Sequence, residues 1–224
     1  MRDTAAVGGM RSARGRQTLV RSLKIASQAC FALGALCAAL YVLAQTDQRV
    51  ASASALETFH RAQQIALTQA PDQSLWSPKR QADYRESLAA PFDAPMGLLE
   101  IRTLGLTVPI FSGTDELVLN RGVGWVEGTA QPGEDGNVGI AGHRDGFFRR
   151  LKDLKVGDAI EVQTVDRTLH YRVRDLRIVE PTDVTVLDST DEPSLTLVTC
   201  YPFYYVGNAP QRYIVRSTLD RLEP

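Results

Sequence analysis

From Met96 onward the chain breaks into short apolar runs, too brief for helices and separated by turn residues. They are Leu-Leu-Glu-Ile (98–101), Leu-Thr-Val-Pro-Ile-Phe (106–111), Val-Gly-Ile-Ala (138–141), Ala-Ile-Glu-Val-Gln (159–163), an eleven-residue run at 169–179, Leu-Thr-Leu-Val (195–198) and Arg-Tyr-Ile-Val-Arg-Ser (212–217). β-Branched and aromatic residues are frequent in them, which is the pattern of strands packed on a pleated surface. Gly157 and Asp158 stand just before one run and read as a turn. Phe-Phe-Arg-Arg-Leu-Lys-Asp (147–153) reads as a short helical turn between strands. Seven or eight short strands in roughly 130 residues, with no internal repeat, predict a closed barrel or a sandwich. Periodicity does not choose between the two.

A different pattern precedes this body. Ile25 to Thr46 is a run of 22 residues without a charge. At about 1.5 Å per residue a helix of that length reaches roughly 33 Å, enough for a hydrocarbon core of about 30 Å. Residues 1–24 carry six basic groups and one acid, a charge of +5, so the remainder of the chain carries −6. A basic cluster before an apolar run places the N-terminus in the cytoplasm and the body outside it. The expectation is a single-pass plasma-membrane anchor over 25–46 behind a cytoplasmic tail, 1–24. A cleaved signal peptide and a buried soluble helix are the other readings of the same run. Val50, Ala53, Leu56, Phe59, Ala62 and Ile65 continue a helical spacing. Pro71, Pro78, Pro91 and Pro95 then mark a linker, so 47–95 reads as a juxtamembrane helix and a linker that lies across the body or holds it off the membrane. The body spans 96–224.

With 44% hydrophobic and 23% charged residues the chain is globular outside its tail. A net charge of −1 gives the body no general attraction for nucleic acid. No glycine motif follows a strand and opens a helix, so a nucleotide cofactor is not expected.

Three cysteines are present, and Cys30 and Cys37 fall in the apolar run, where they pack as small apolar residues. Cys200 has no partner in the body for a disulfide. An unpaired thiol in an exported domain is either a nucleophile or an inert buried strand residue. A nucleophile needs a proton carrier and an electrophilic group for the oxyanion. His60 belongs to the juxtamembrane helix, and His170 alternates with charged neighbours in mid-strand. His143 follows the apolar run 138–142 and opens a polar loop, Arg144-Asp145-Gly146. That is a place to present a catalytic imidazole, and equally a place for an ordinary loop histidine.

Asn-Val-Gly-Ile-Ala-Gly-His (137–143), Thr-Leu-Val-Thr-Cys (196–200) and Gln-Arg-Tyr-Ile-Val-Arg (211–216) together resemble the sortases, membrane-anchored cysteine transpeptidases of bacterial surfaces. The second run matches the family's Thr-Leu-x-Thr-Cys signature. The order His, Cys, Arg and the spacings of 57 and 12 residues also match. Cys-Tyr-Pro-Phe (200–203) and Asn-Ala-Pro-Gln-Arg-Tyr-Ile-Val (208–215) are most similar to class D. The resemblance covers roughly 96–219.

The resemblance implies a mostly β, eight-stranded barrel with short helices. Cys200 would end strand seven, Arg212 would begin strand eight, and His143 would arrive from the loop after strand four. It implies that Cys200 forms a thioester with a peptide carbonyl, that His143 moves protons and that Arg212 binds substrate backbone or the oxyanion. Thr199 would touch substrate or serve the strand, and Asp145 would orient the His143 loop or stand exposed in a turn. Residues 180–193 would form the substrate groove before the cysteine strand. Some sortases bind Ca²⁺ with acids of that loop. No metal is expected here, because the Asp/Asn ladder and the glycine of a calcium loop are missing. The implied partners are exported proteins with a C-terminal, LPXTG-like sorting signal and an amine acceptor, in peptidoglycan or a pilin. A hydrolase on the same fold and a non-catalytic binding or assembly module are the rival functions.

Overall fold

The computed structural model describes residues 70–205 and 207–223, with Gln28, Phe31, residues 33–37 and Gln64. The chain divides into two compact units, Met1–Ala51 and Ser52–Pro224. In the first unit the described positions are helical. The expected tail 1–24, most of the expected anchor 25–46 and, apart from Gln64, which is helical, the expected juxtamembrane helix lie outside the described residues. Among the described residues no helix is long and apolar enough to cross a membrane.

In the second unit eight strands close into a barrel in the order β1-β2-β3-β4-β7-β8-β6-β5. They are β1 (Gly97–Ile101), β2 (Leu106–Ser112), β3 (Val123–Trp125), β4 (Asn137–Gly142), β5 (Ala159–Gln163), β6 (Thr168–Val179), β7 (Ser194–Tyr201) and β8 (Gln211–Glu223). Closure comes from the antiparallel pairing of β1 with β5, Leu99 opposite Val162. All seven expected runs are strands, and residues 147–153 form a 3₁₀ turn. The eighth strand, β3, has only three residues and carries no periodicity to read.

Alternation explains the core. In β6, Leu169, Tyr171 and Val173 turn inward and are buried, while Arg172 and Arg174 between and after them are exposed. The inward side chains of β1, β2, β4, β7 and β8, among them Leu99, Val108, Ile110, Ile140, Leu195, Leu197 and Val215, are fully buried in the same cluster. At roughly 25 cal/mol per Å² of apolar surface, this burial is the main force closing the barrel.

β4 is covered on both faces, which accounts for its glycines. A Cβ on Gly139 would lie 2.8 Å from Leu187 Cδ2, and one on Gly142 would lie 2.7 Å from Phe148 Cδ2. Both contacts are shorter than packed carbons tolerate, so residues 184–187 and the 3₁₀ turn sit close over a strand that has no side chains there. Asn137 fastens the first of these covers. Its Nδ2 donates to the carbonyls of Val186 and Asp188, each at 3.1 Å, and its Oδ1 accepts from Thr196 Oγ1 at 2.8 Å.

Residues 71–95 hold a helix, α1 (Pro78–Ser87), and they lie across the barrel. Ser77 caps it, its Oγ accepting from Arg80 N at 3.1 Å, and Pro78 occupies the first turn, where a missing N–H costs nothing. The helix is mostly polar and gives no apolar stripe to read. Its anchor is an aromatic cluster: Trp76, Tyr84 and Phe147 meet edge to face at 4.7–6.1 Å between centroids. A second short helix, α2 (Glu116–Arg121), is capped by Asp115 and packs beside α1. Arg121 Nη1 donates to Ser87 O at 2.6 Å and ties the two together.

Candidate active site

β7 is flanked by β4 on one side and β8 on the other, and that arrangement gathers the candidate residues. β4 and β7 run parallel, with Ala141 opposite Val198 and Gly142 opposite Thr199. One residue further along, His143 leaves β4 beside Cys200. β7 and β8 run antiparallel, and Cys200 stands directly opposite Arg212. Directly opposed residues project from the same face of a sheet. Residues separated by 57 and 12 positions in sequence are therefore carried to the same end of the barrel.

Cys200 is partly buried, with a free thiol. Arg212 is also partly buried, and its Nη1 donates to Gln211 O at 3.1 Å. Among the described residues no carboxylate pairs with Arg212, so most of its donors remain for a ligand. Thr199 is buried, and its Oγ1 donates to Gly142 O at 2.7 Å. The threonine hydroxyl therefore holds the end of β4, from which His143 departs, against the end of β7, which carries Cys200. Thr199→Val should leave that carbonyl short of a donor, cost about 1–3 kcal/mol of stability and lower the thermal midpoint. An unchanged midpoint would remove the hydroxyl from this role.

The His143 side chain is 18% exposed. Its Nε2 is buried with no hydrogen-bond partner among the described residues, and Glu116 Oε1 stands 3.6 Å away. Burial lowers the imidazole pKa below its ordinary 6.5 and the Arg80 cation lowers it further, while Glu116, Asp145 and Asp83 pull the other way. The shift favours the neutral ring, and its Nε2 is free of a hydrogen-bond partner among the described residues.

Asp145 is partly buried, its side chain 30% exposed. Its Oδ1 accepts from Arg80 Nε at 3.1 Å and its Oδ2 accepts from Ser77 Oγ at 3.1 Å. Burial alone would raise its carboxyl; Arg80 and Ser77 outweigh that and hold it below the usual carboxylate value. The turn closes with Gly146 N donating to His143 O at 3.1 Å. Arg144 faces the other way. Its Nη2 donates to the carbonyls of Tyr205, at 3.0 Å, and Gly207, at 2.7 Å, so the residue after His143 grips the loop that follows Cys200. Arg149 helps, donating to Phe203 O at 2.6 Å and lying 4.5 Å over the Tyr204 ring.

His170 lies on the outer wall between Glu161, at 3.5 Å, and Glu223, at 3.2 Å, far along β6 from this cluster. Among the described residues no three His, Cys, Asp or Glu side chains converge to hold a metal ion.

Residues 99–220, 122 of the 224, match the sortase domain family. The chain belongs to the sortase family. It is similar to Sortase D of Bacillus subtilis (strain 168), with 39% identity over 120 residues, 53% of this chain and 61% of that relative. The match thus spans about three fifths of the relative's own length. Among solved structures it is similar to a Clostridium perfringens Sortase D5 transpeptidase, with 28% identity and a TM-score of 0.54 over 77% of this chain and 99% of that one. Sortase E1 from Streptomyces coelicolor gives 30% identity and a TM-score of 0.53 over 58% of this chain and 90% of that one. The mostly β, eight-stranded barrel expected from the sequence is the fold these sortases share.

Sequence reading did not find Ser77, Arg80 or Glu116, all of which surround His143 or its loop. They lie upstream of the motif and reach it only through the packing of α1 and α2. The Ser77-Pro78 pair was the available signal, since it marks a helix start.

Proposed function

We propose that this chain is a cysteine transpeptidase that cleaves an LPXTG-like sorting signal and transfers the exported protein to an amine of the envelope or of a pilin. The observation that carries the proposal is the register that sets Cys200 opposite Arg212 and beside the end of β4, from which His143 emerges.

In this reading Cys200 Sγ attacks the scissile carbonyl and forms a thioester. The thiol proton passes to His143 and from there to the leaving amine nitrogen, whose bond to carbon breaks. An incoming amine then attacks the thioester carbonyl, gives up a proton through His143 and releases Cys200 as the thiol. Arg212 offers a planar fork of donors to the developing oxyanion or to the substrate backbone. The free energy of the cleaved peptide bond is conserved in the thioester, so no nucleotide is needed. We propose that no metal or other cofactor takes part.

The location follows from the same proposal. The charge-free run 25–46 behind a basic tail supports a single-pass anchor with the body outside the cytoplasm. Sharing a surface with an anchored substrate raises their effective concentration.

The test is to incubate the full chain with a library of LPXT-type peptides, with and without an added amine, and to weigh enzyme and products. An adduct that passes to the amine supports a transpeptidase. An adduct that passes only to water supports a hydrolase, and no adduct in a folded chain with a reactive thiol supports a non-catalytic module. Within that assay Arg212→Lys should lower acyl transfer roughly 10²-fold, because an ammonium is a point charge without the paired donors. Full activity in the lysine variant would leave Arg212 only its charge.

A further inference from the structure

We propose that Arg80 and Asp145 are a positioning pair for His143, the helix-borne guanidinium holding the carboxylate of the histidine loop and the two charges together setting the field at the imidazole. The inference rests on the reading of His143 as the proton carrier.

Arg80 lies outside the family-matched segment 99–220, on a helix that packs across the barrel. Its side chain is only 10% exposed. A guanidinium taken out of water needs charged partners, and Arg80 has three carboxylates. Nε meets Asp145 Oδ1 at 3.1 Å, while Nη1 lies 3.7 Å from Asp83 Oδ2 and 3.6 Å from Glu116 Oε1. Nη1 also donates to Asn120 Oδ1. The Glu116 oxygen is shared, since the same Oε1 stands 3.6 Å from His143 Nε2. Arg80 and His143 thus face a common carboxylate oxygen. Asp145 connects Arg80 to the histidine a second time, through the turn closed by Gly146.

A latch that only pinned the loop would not require a buried ion network, because burying ion pairs is a poor source of stability. A charged network placed against an imidazole has a further effect. The charges facing His143 are Arg80 and Asp83 from α1, Glu116 from α2 and Asp145 from its own loop. Cys200 and Arg212 stand on the neighbouring strand ends. Removing the cation and removing a carboxylate therefore push the imidazole in opposite directions, whereas an opened loop rehydrates the ring and pushes it one way only.

The experiment is an NMR titration of the histidine rings in the full chain, with His143 identified by its loss in His143→Gln. Arg80→Gln should move the His143 midpoint up, and Asp145→Asn should move it down. Movement of both variants upward, or of neither, overturns the pair and leaves a structural latch. If Arg80→Gln does not fold, Arg80→Lys keeps the charge without the planar fork. It should hold the midpoint at the wild-type value, and a rise there overturns the proposal equally. Because the titration needs no turnover, a chain that transfers no acyl group would end the catalytic reading of His143 while the titration still decides on the pair.

Discussion

Cys200→Ala should abolish formation of the peptide adduct and lower acyl transfer roughly 10³-fold or more, to the background of water and bound peptide. The size follows from the chemistry. Without the sulfur there is no covalent intermediate, and the two easier steps collapse into one direct aminolysis of a peptide bond. Arg212 and His143 remain in place, so peptide binding should survive. Cys200 is partly exposed and its thiol is free, so the variant should keep its fold with a thermal midpoint close to that of the wild type. Mass spectrometry of enzyme and peptide after mixing reads the first effect, and a binding measurement reads the second. An adduct that persists in the alanine variant would move the nucleophile elsewhere.

His143→Gln should slow acyl transfer by about 10²- to 10⁴-fold, the usual share of a positioned proton carrier. It should also alter the response to acid. Burial and Arg80 hold the folded imidazole below 6.5, the value it regains on unfolding. Between the folded value and 6.5 the unfolded chain binds more protons than the folded one, so this contribution to stability is complete above 6.5 and is lost as the pH falls below it. The glutamine variant lacks that loss. Denaturant midpoints compared above and below pH 6.5 should therefore fall further in the wild type than in the variant. Parallel falls in the two proteins would mean that His143 is not the buried neutral base described above.

The sequence made the barrel strands legible because each of the seven runs has a face to bury and a turn residue near its end. β3 escaped because Val123–Trp125 is too short for any period to show. α1 escaped for the opposite reason. Arg80, Tyr84 and Ser87 are its buried residues, so its packed face does not read as apolar. The Cys200 and His143 strand ends were legible because the chemistry demands those residue types in a recognisable local frame. The surroundings of His143 were not. Arg80 reaches Asp145 across 65 positions, and nothing local to either residue announces that contact. Thr199 is intermediate. Its place beside Cys200 was plain from the sequence, but the partner of its hydroxyl, Gly142 O, depends on the parallel register of β4 and β7.

That register also governs when the chain becomes reactive. β4 and β7 are neighbours in the barrel but are separated in sequence by β5, β6 and the loops between them. A growing or partly folded chain can carry a thiol and an imidazole, yet it has no working pair until this distant parallel contact forms, and contacts of such long range are slow to close. A fragment that stops before β7 has the base without the nucleophile, and one that begins after His143 has the reverse. Under the proposed mechanism, competence is thereby tied to completed folding.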